Sequence, residues 1–404
     1  MRRTGWVRGI ALSTLLAAFA LGPALVGAQD ATPEGGGSPP AMEFPPPPAG
    51  AEVIATNLNN PRGLTFGPDG ALYVAEAGSG GTGNCTTGPE GDTLCFGDTG
   101  SITRVENGSQ ERVLEGLNSL GVEGSGMNAT GPHAVAFIGD QMYVVIGLGA
   151  APDARDDLES GGPAQLGKIF SVTDGKLTEV ADVAGFEGSD NPDGGDLDSN
   201  PLAMVALPDD SLAVTDAGGN FVAKVTTDGT ISTLTVLADR MEPMPDGSAD
   251  IPMQSVPDAL AMGPDGSLYI GELTGFPFVS GGANVYRVHV DGGDAVLHAD
   301  GFTNIIGVAF GPDGSLYVLE LVKGGLLGID PSKPETMAGQ LTRIAPDGTR
   351  SVIASDGLVF PTGLAVGPDG AIYVANLGTM AGAGQVLRFA PEGGETTPEA
   401  TPTA

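Results

Sequence analysis

One ten-residue stretch occurs about six times in the sequence, and this repetition limits the folds that the chain can adopt. Clear copies read GPDGALYVAE at 67–76, GPDGSLYIGE at 263–272, GPDGSLYVLE at 311–320 and GPDGAIYVAN at 367–376. Weaker copies read IGDQMYVVI at 138–146 and LPDDSLAVTD at 207–216. The aligned positions 70, 140, 210, 266, 314 and 370 are 70, 70, 56, 48 and 56 residues apart. Repeats of this length are typical of solenoids, propellers and arrays.

Each repeat contains the pattern of four short strands. In the fifth repeat, apolar runs at 306–310 and 316–318 flank a Pro-Asp-Gly turn, and the alternating run at 340–344 leads through a second such turn to 351–354. Turns of this composition between β-branched and aromatic runs indicate hairpins. Helical periodicity is absent from the repeats. A four-stranded antiparallel meander is the unit of a propeller blade.

The strand count indicates how the ring closes. The sixth repeat supplies strands at 364–366, 372–374 and 385–389 and then runs into a polar tail, so it lacks a fourth strand. The segment EVIAT at 52–56 has no repeat of its own and resembles SVIAS at 351–355. The sequence therefore predicts an all-β, six-bladed β-propeller whose N-terminal strand closes the last blade, which leaves no open edge.

The two ends of the chain have a different composition. Arg2, Arg3 and Arg8 precede an apolar run and the small residues at 26–28, which indicates a secretory signal peptide over 1–28. The alternative, an uncleaved anchor, is disfavoured because Gly22 and Pro23 interrupt a run that is short for a bilayer span. Pro- and Gly-rich residues at 29–50 predict a disordered linker, and 393–404 a disordered Pro/Thr-rich tail. The propeller is expected at 51–392, in a secreted or cell-envelope protein without a transmembrane segment in its mature form.

The charge excludes one class of partner. The chain has a formal net charge of −33, and removing the three signal-peptide arginines takes it to −36. Such a surface repels nucleic acid, so no nucleic-acid partner is expected. The charge itself is interpreted as an adaptation for solubility. Cys85 and Cys95 are the only cysteines, and in an exported protein they are expected to form a disulfide.

Strand direction places the long connections on one face. Loops at 77–99, 117–132, 147–163, 184–200, 238–256, 273–283 and 321–338 should surround the mouth of the central channel. Long, uneven loops on a rigid scaffold are where binding usually occurs. A small molecule, a peptide or a cell-envelope partner is expected there.

Two rings of residues are candidates for a site at this mouth. The first ring, here called the mouth ring, immediately precedes strand one of each blade: Arg62, His133, Leu202, Asp258, Ile306 and Thr362. Its four polar members, Arg62, His133, Asp258 and Thr362, are predicted to bind a ligand. His133 could also serve as a general base or metal ligand, although a lone histidine more often has a packing role.

The second ring, here called the strand-end residues, ends strand two: Glu76, Ile146, Asp216, Glu272, Glu320 and Asn376. The five polar members could bind calcium, or each could accept backbone N–H bonds from an adjacent loop. The loop DNPDGGDLDSN at 190–200 offers the same choice between calcium and an Asx-rich turn. No cofactor is certain; calcium is the candidate.

Several stretches resemble the ScyD/ScyE family of secreted bacterial propellers: NPRGLTFGPDGALYVAEAG at 60–78, GELTGFPFVSGGANVYRV at 271–288, GFTNIIGVAFGPDGSLYVLE at 301–320 and PTGLAVGPDGAIYVANLG at 361–378. The motifs GELTGFPF and GFTNII are the more specific ones, because PDG repeats also occur in NHL-like and gluconolactonase-like propellers. The resemblance implies an exported six-bladed, TolB-like propeller, and it implies no defined activity or catalytic residues.

Two hypotheses about function follow. The first is a binding or scaffold module that uses the loop-rich face. The alternative is a calcium-dependent lactonase or hydrolase, since enzymes on related propellers bind the metal at the channel through Glu, Asn and Asp. That ligand arrangement cannot be assigned residue by residue here, and no G-x-S-x-G, HExxH, CxxC or Rossmann motif is present.

Overall fold

The computed structural model describes residues 44–88, 91–159, 164–330 and 332–391. Six antiparallel sheets of four or more strands follow one another along the chain and form an all-β, six-bladed propeller. The predicted signal peptide, the predicted tail and residues 29–43 of the predicted linker lie outside the described residues. None of the described helices is long and apolar enough to span a membrane.

The first three blades follow the order of the chain. Blade 1 contains β2 (Pro61–Phe66), β3 (Leu72–Glu76), β5 (Thr93–Glu106) and β6 (Ser109–Val122), with β4 (Cys85–Thr87) paired to β5. Blade 2 contains β7 (Pro132–Ile138), β8 (Gln141–Ile146), β9 (Lys168–Thr173) and β10 (Lys176–Asp182). Blade 3 contains β11 (Pro201–Ala206), β12 (Leu212–Asp216), β13 (Phe221–Val225) and β14 (Ile231–Val236).

Blades 4 and 5 also follow the order of the chain, whereas blade 6 combines both ends of the described chain. Blade 4 contains β17 (Pro257–Met262), β18 (Ser267–Glu272), β19 (Ala283–His289) and β20 (Val296–Phe302). Blade 5 contains β21 (Ile305–Phe310), β22 (Leu316–Glu320), β23 (Gln340–Ile344) and β24 (Arg350–Ala354). Blade 6 contains β25 (Gly363–Val366), β26 (Ile372–Asn376) and β27 (Gly384–Phe389), and β1 (Ala51–Leu58) pairs antiparallel with β27 as its outer strand.

The hydrophobic core lies between the blades. Six apolar clusters each join two neighbouring blades, including one that joins blade 6 to blade 1. Strand two of each blade contributes side chains to the apolar clusters on both sides of the blade, because successive side chains point to opposite faces of the sheet. In β3, Leu72 and Val74 pack toward blade 6, whereas Tyr73 and Ala75 pack toward blade 2.

The repeated turn explains why the copies agree in sequence. Gly70, Gly266, Gly314 and Gly370 occupy one position with φ of 79°, 75°, 79° and 76°, a region that glycine adopts without steric cost. The preceding aspartate binds an arginine of strand three at 2.6–2.8 Å in four blades: Asp69–Arg104, Asp265–Arg287, Asp313–Arg343 and Asp369–Arg388. These repeated residues therefore serve the architecture.

The long loops contain structure that the sequence pattern does not predict. They include helices α1 (Ala154–Leu158) and α2 (Val183–Asp190), a hairpin of β15 (Arg240–Pro243) and β16 (Asp250–Met253), and 3-10 turns at Leu326–Gly328 and Pro334–Met337. Helices of five and eight residues are too short to show a periodic apolar face. Local capping helps to define α2, since the Asp182 carboxylate accepts the Gly185 N–H and Asn191 ends the helix with φ of 43°.

The end of the predicted linker also differs from expectation. Phe44 packs against an apolar cluster on the loop-rich face, and Pro48 is buried. A side chain at Gly357 would collide with the backbone of residues 46–48. Residues 44–50 therefore lie against the propeller rather than apart from it.

Candidate ligand site at the mouth of the channel

The described structure has a cavity of about 530 Å³ on the loop-rich face. All six blades contribute to its lining, and five of the six mouth-ring residues lie in it: Arg62, His133, Leu202, Asp258 and Ile306. Thr362 does not line the cavity. A concave space of this size, mostly apolar with a few polar groups, is typical of small-molecule sites.

Two mouth-ring residues tie neighbouring blades together. His133 Nδ1 lies 3.1 Å from the carbonyl oxygen of Pro201, the residue before the mouth-ring position of blade 3. Thr362 Oγ1 donates to the carbonyl oxygen of Pro61, the equivalent residue of blade 1, at 2.5 Å. Both side chains are buried. Each side chain thus contacts the backbone of the neighbouring blade, and ligand binding by both stays a prediction.

His133 is held in its neutral form. Burial, together with the nearby Arg62 guanidinium, lowers its pKa to about 3. Because a carbonyl oxygen only accepts, Nδ1 carries the hydrogen and Nε2 keeps a lone pair. A general base works best with a pKa near the working pH, so this environment makes His133 a poor base at neutral pH.

Arg62 and Asp258 complete the polar part of the mouth ring. Arg62 Nη2 donates to the carbonyl oxygen of Ala129 at 2.6 Å, which fixes the loop before blade 2. Asp258 is buried at the start of β17 and lines the cavity. The structure thus brings Arg62, His133 and Asp258 to one cavity and leaves Thr362 beside it.

The strand-end residues are buried and bonded to their own loops. Four of them accept a backbone N–H from the segment that leads into strand one: Glu76 from Asn59, Asp216 from Asn200, Glu320 from Thr303 and Asn376 from Val359, at 2.6–2.7 Å. Glu272 accepts the Ser255 hydroxyl at 2.6 Å, the Arg240 guanidinium at 2.7 Å and the backbone N–H of Asn284 in strand three at 2.9 Å. Ile146, the apolar member, is buried.

These bonds bear on the calcium hypothesis. Among the described residues, no three histidine, cysteine, aspartate or glutamate side chains are placed to hold one metal ion. The side-chain oxygens of the strand-end residues instead accept hydrogen bonds from groups of their own blade or of the loop that leads into it. The strand-end residues therefore do not form a shared calcium site.

Backbone conformation distinguishes the cavity from the rest of the described chain. Five described residues other than glycine, asparagine and aspartate have positive φ, and four of them line the cavity: Val256, Thr274, Phe278 and Phe360, with φ of 53°, 70°, 51° and 41°. Bulky and β-branched residues are genuine outliers in this region. Such strain costs about 1–3 kcal/mol per residue and clusters at functional sites.

The repeat provides an internal comparison for this strain. Two positions before the mouth ring, Asn60 and Asn304 have φ of 48° and 52°, and asparagine tolerates this conformation. Val256 and Phe360 occupy the same position in blades 4 and 6. The left-handed conformation thus recurs at this position in four blades, and in two of them an apolar residue that lines the cavity adopts it.

Two loops that the sequence offered for other reasons also reach the cavity. The predicted disulfide between Cys85 and Cys95 is confirmed, and its loop brings Asp92 and Leu94 to the lining. In the segment 190–200, Asp193 Oδ1 accepts the Gly195 N–H at 2.7 Å, as in an Asx turn, and Asp198 lines the cavity. The strand order predicts that both loops lie at the mouth, but no local sequence signal indicates which of their residues reach the cavity.

Fold and site together define a class: a six-bladed propeller with a small-molecule-sized cavity at the loop-rich mouth of its channel. The SMP-30/Gluconolactonase/LRE-like region matches residues 199–404, just over half of the sequence. The chain belongs to this family.

Several solved structures are similar to the chain at low identity. A catalytically inactive virginiamycin B lyase from Staphylococcus aureus, crystallised with quinupristin, is 12% identical, with a TM-score of 0.45 over 84% of this chain and 98% of that one. Regucalcin from Agrobacterium tumefaciens, a calcium-binding protein, is 15% identical, with a TM-score of 0.45 over 86% and 95%. A gluconolactonase from Xanthomonas campestris is 16% identical, with a TM-score of 0.41 over 69% and 81%. Among curated protein sequences, none matches the chain.

Proposed function

We propose that the protein is an exported binding module that takes a small molecule in the channel-mouth cavity, with Arg62, His133 and Asp258 in its wall. The strained lining carries this proposal, because four bulky residues with left-handed backbone face the same cavity. Their conformational cost is tolerated only where the surrounding structure enforces it. Thr362 then acts indirectly, by holding blade 6 against blade 1.

Export and a finer family assignment form part of the same proposal. The Cys85–Cys95 disulfide suits an oxidising compartment, in line with the signal-like segment at 1–28. Within the SMP-30/Gluconolactonase/LRE-like family, the motifs GELTGFPF and GFTNII support membership of the ScyD/ScyE group. A linker over 29–43 and a tail over 393–404 would flank the propeller.

Binding to the cavity can be tested with an apolar dye whose fluorescence reports entry into a dry site. We expect Nile red to bind the purified protein with one-to-one stoichiometry. Leu202→Trp fills the cavity from the mouth ring and should abolish the signal, as should Ile306→Trp from another blade. Leu197→Trp is the matched control, since Leu197 is 46% exposed and does not line the cavity. Equal binding by all four proteins would contradict the proposal.

A second candidate, a metal-dependent lactonase, is favoured by the family match alone. It requires a calcium-dependent rise in melting temperature that Glu272→Ala abolishes, together with lactone hydrolysis that a chelator removes. Because Glu272 is bonded to Arg240 and Ser255, we expect no calcium-dependent shift in the wild type. Hydrolysis lost on chelation would reverse the order of the two candidates.

A further inference from the structure

The loop between the second and third strands of blade 4 presents two aromatic rings to the cavity. It contains the motif Leu273–Phe278, which the fold itself does not explain. Phe276 and Phe278 both line the cavity and are half-buried, so part of each ring remains accessible. Their centroids are 6.2 Å apart and their planes make an angle of 87°. The two rings thus form a T-shaped pair in the cavity wall, here called the aromatic corner.

This aromatic corner is held in place by strained backbone. Thr274 and Phe278 both have positive φ, although neither residue type favours it. Backbone bonds from Leu273, Thr274 and Gly275 to the segment at 254–256 fix the start of the loop. The Thr274 hydroxyl is buried beside the cavity and has no hydrogen-bond partner there. The loop therefore adopts a costly conformation that places two aromatic rings and an unsatisfied hydroxyl at the cavity.

The charged side chains in the cavity wall are mostly acidic. Asp92, Asp198 and Asp258 line the cavity against one cationic residue, Arg62. Asp198 Oδ1 is buried and accepts no hydrogen bond from the described protein. Burial raises the pKa of the Asp198 carboxyl, an effect that a backbone hydrogen bond from Ser199 offsets in part. The net charge of −33 adds a long-range field that attracts cations.

We propose that the ligand of the cavity is an organic cation, an amine or quaternary ammonium on an apolar body, held by Phe276 and Phe278 and neutralised by Asp198. Cations over aromatic faces gain about 0.5–2 kcal/mol, most when they are desolvated, and quaternary ammonium recognition uses such corners. The apolar wall of the cavity accommodates the body. This inference rests on the proposed binding function and specifies its ligand.

Three probes with one body and different head groups test the charge: phenylbutyltrimethylammonium, phenylbutanol and phenylbutyrate. We expect the ammonium probe to displace Nile red at concentrations at least tenfold below those of the other two. Asp198→Asn should reduce this preference at least threefold, whereas Asp196→Asn, an exposed neighbour in the same loop, should leave it unchanged. Phe276→Leu and Phe278→Leu keep apolar volume and should weaken the ammonium probe more than the alcohol. Phe137→Leu, at a ring that contacts Tyr73 and does not line the cavity, is their control.

The outcomes separate this inference from the function on which it rests. If all three probes displace the dye equally and Leu202→Trp abolishes dye binding, the cavity binds but the cation assignment is wrong. Preference for phenylbutyrate would also overturn it, in favour of an anion at Arg62. If Leu202→Trp and Ile306→Trp leave dye binding intact, the proposed function itself fails.

Discussion

At the residue scale, the repeat separates residues that hold the fold from residues that line the site. Where Asn60 and Asn304 accept a left-handed conformation, Val256 adopts it at a cost. We expect Val256→Asn to raise the free energy of unfolding by up to about 1 kcal/mol, since relief of strain outweighs the loss of a half-buried side chain. The same change should weaken Nile red binding, because an apolar wall becomes polar.

Chemical denaturation followed by circular dichroism measures the stability of this variant, and dye titration its binding. Asn304→Val is the matched reverse change at the equivalent position of blade 5. It should be destabilising, because it adds strain and removes the bond from Asn304 Nδ2 to the Leu273 carbonyl oxygen. A loss of stability in Val256→Asn with unchanged dye binding would show that the strain has no role in the site.

Glu187 provides a second test at this scale, through pH. Its side chain is buried in α2 with no hydrogen-bond partner in the described protein, and burial, with Asp216, Asp193 and Asp198 nearby, raises its pKa to about 7. A pKa raised on folding stabilises the fold while the pH is below the unfolded value, and this contribution is lost as the pH rises through the folded value.

Glu187→Gln should therefore match the wild type near pH 5 and exceed it in stability at pH 8. The difference should be roughly 1–3 kcal/mol, given 1.36 kcal/mol for each unit of pKa shift. Unfolding curves of both proteins between pH 5 and 8 measure it. Glu179→Gln, which removes a carboxylate from the surface of the preceding strand, is the control for the loss of one negative charge. Parallel pH profiles for Glu187→Gln and the wild type would refute the buried, unpartnered environment.

At the element scale, the closing blade depends on a strand far from its partners in sequence. In β1, Ala55 and Leu58 are buried between blades 6 and 1, whereas Val53 is 41% exposed. Removing residues through Leu58 would expose β27 as an edge and lose about 1.5–3 kcal/mol for the Leu58 side chain alone. Net stabilities of domains are about 5–15 kcal/mol, so this loss is a large share.

Three truncated proteins test the contribution of each segment. A protein beginning at Phe44 should have the same melting temperature as one beginning at Gln29, since it keeps every described contact. One beginning at Ala51 should melt slightly lower, because it loses Phe44 and the segment that lies over Gly357. One beginning at Asn59 should aggregate or unfold. Equal melting temperatures for all three would mean that β1 does not stabilise the ring.

At the scale of the whole molecule, the sequence predicts more of the architecture than of the site. The PDG turns repeat because each needs a glycine with positive φ and an aspartate for the arginine of strand three, so architecture leaves a periodic trace. The residues that line the cavity show no such periodic pattern in the sequence. Asp92, Asp198, Phe276 and Phe360 reach it from four blades through loops of different length, and only the ring brings them together.

The two rings of candidate residues show the same limit. From their position in the repeat, the strand-end residues could be calcium ligands or could hold the adjacent loops in place. Their hydrogen bonds to the loops agree with the second interpretation. For the mouth ring, sequence variation between the repeats indicated binding. It did not reveal that His133 and Thr362 also join neighbouring blades, because such a bond depends on the next blade's backbone.

The most direct test of the central claim is amide hydrogen exchange of the wild-type protein with and without saturating Nile red. Binding in the cavity should slow exchange in the segments at 198–202, 251–258, 273–278 and 377–380, which surround it on several blades. The repeated turns at 68–70, 264–266 and 368–370, on the opposite face, should exchange at the same rate in both states. Protection confined to those turns, or to the outer strands, would contradict a ligand site at the mouth of the channel.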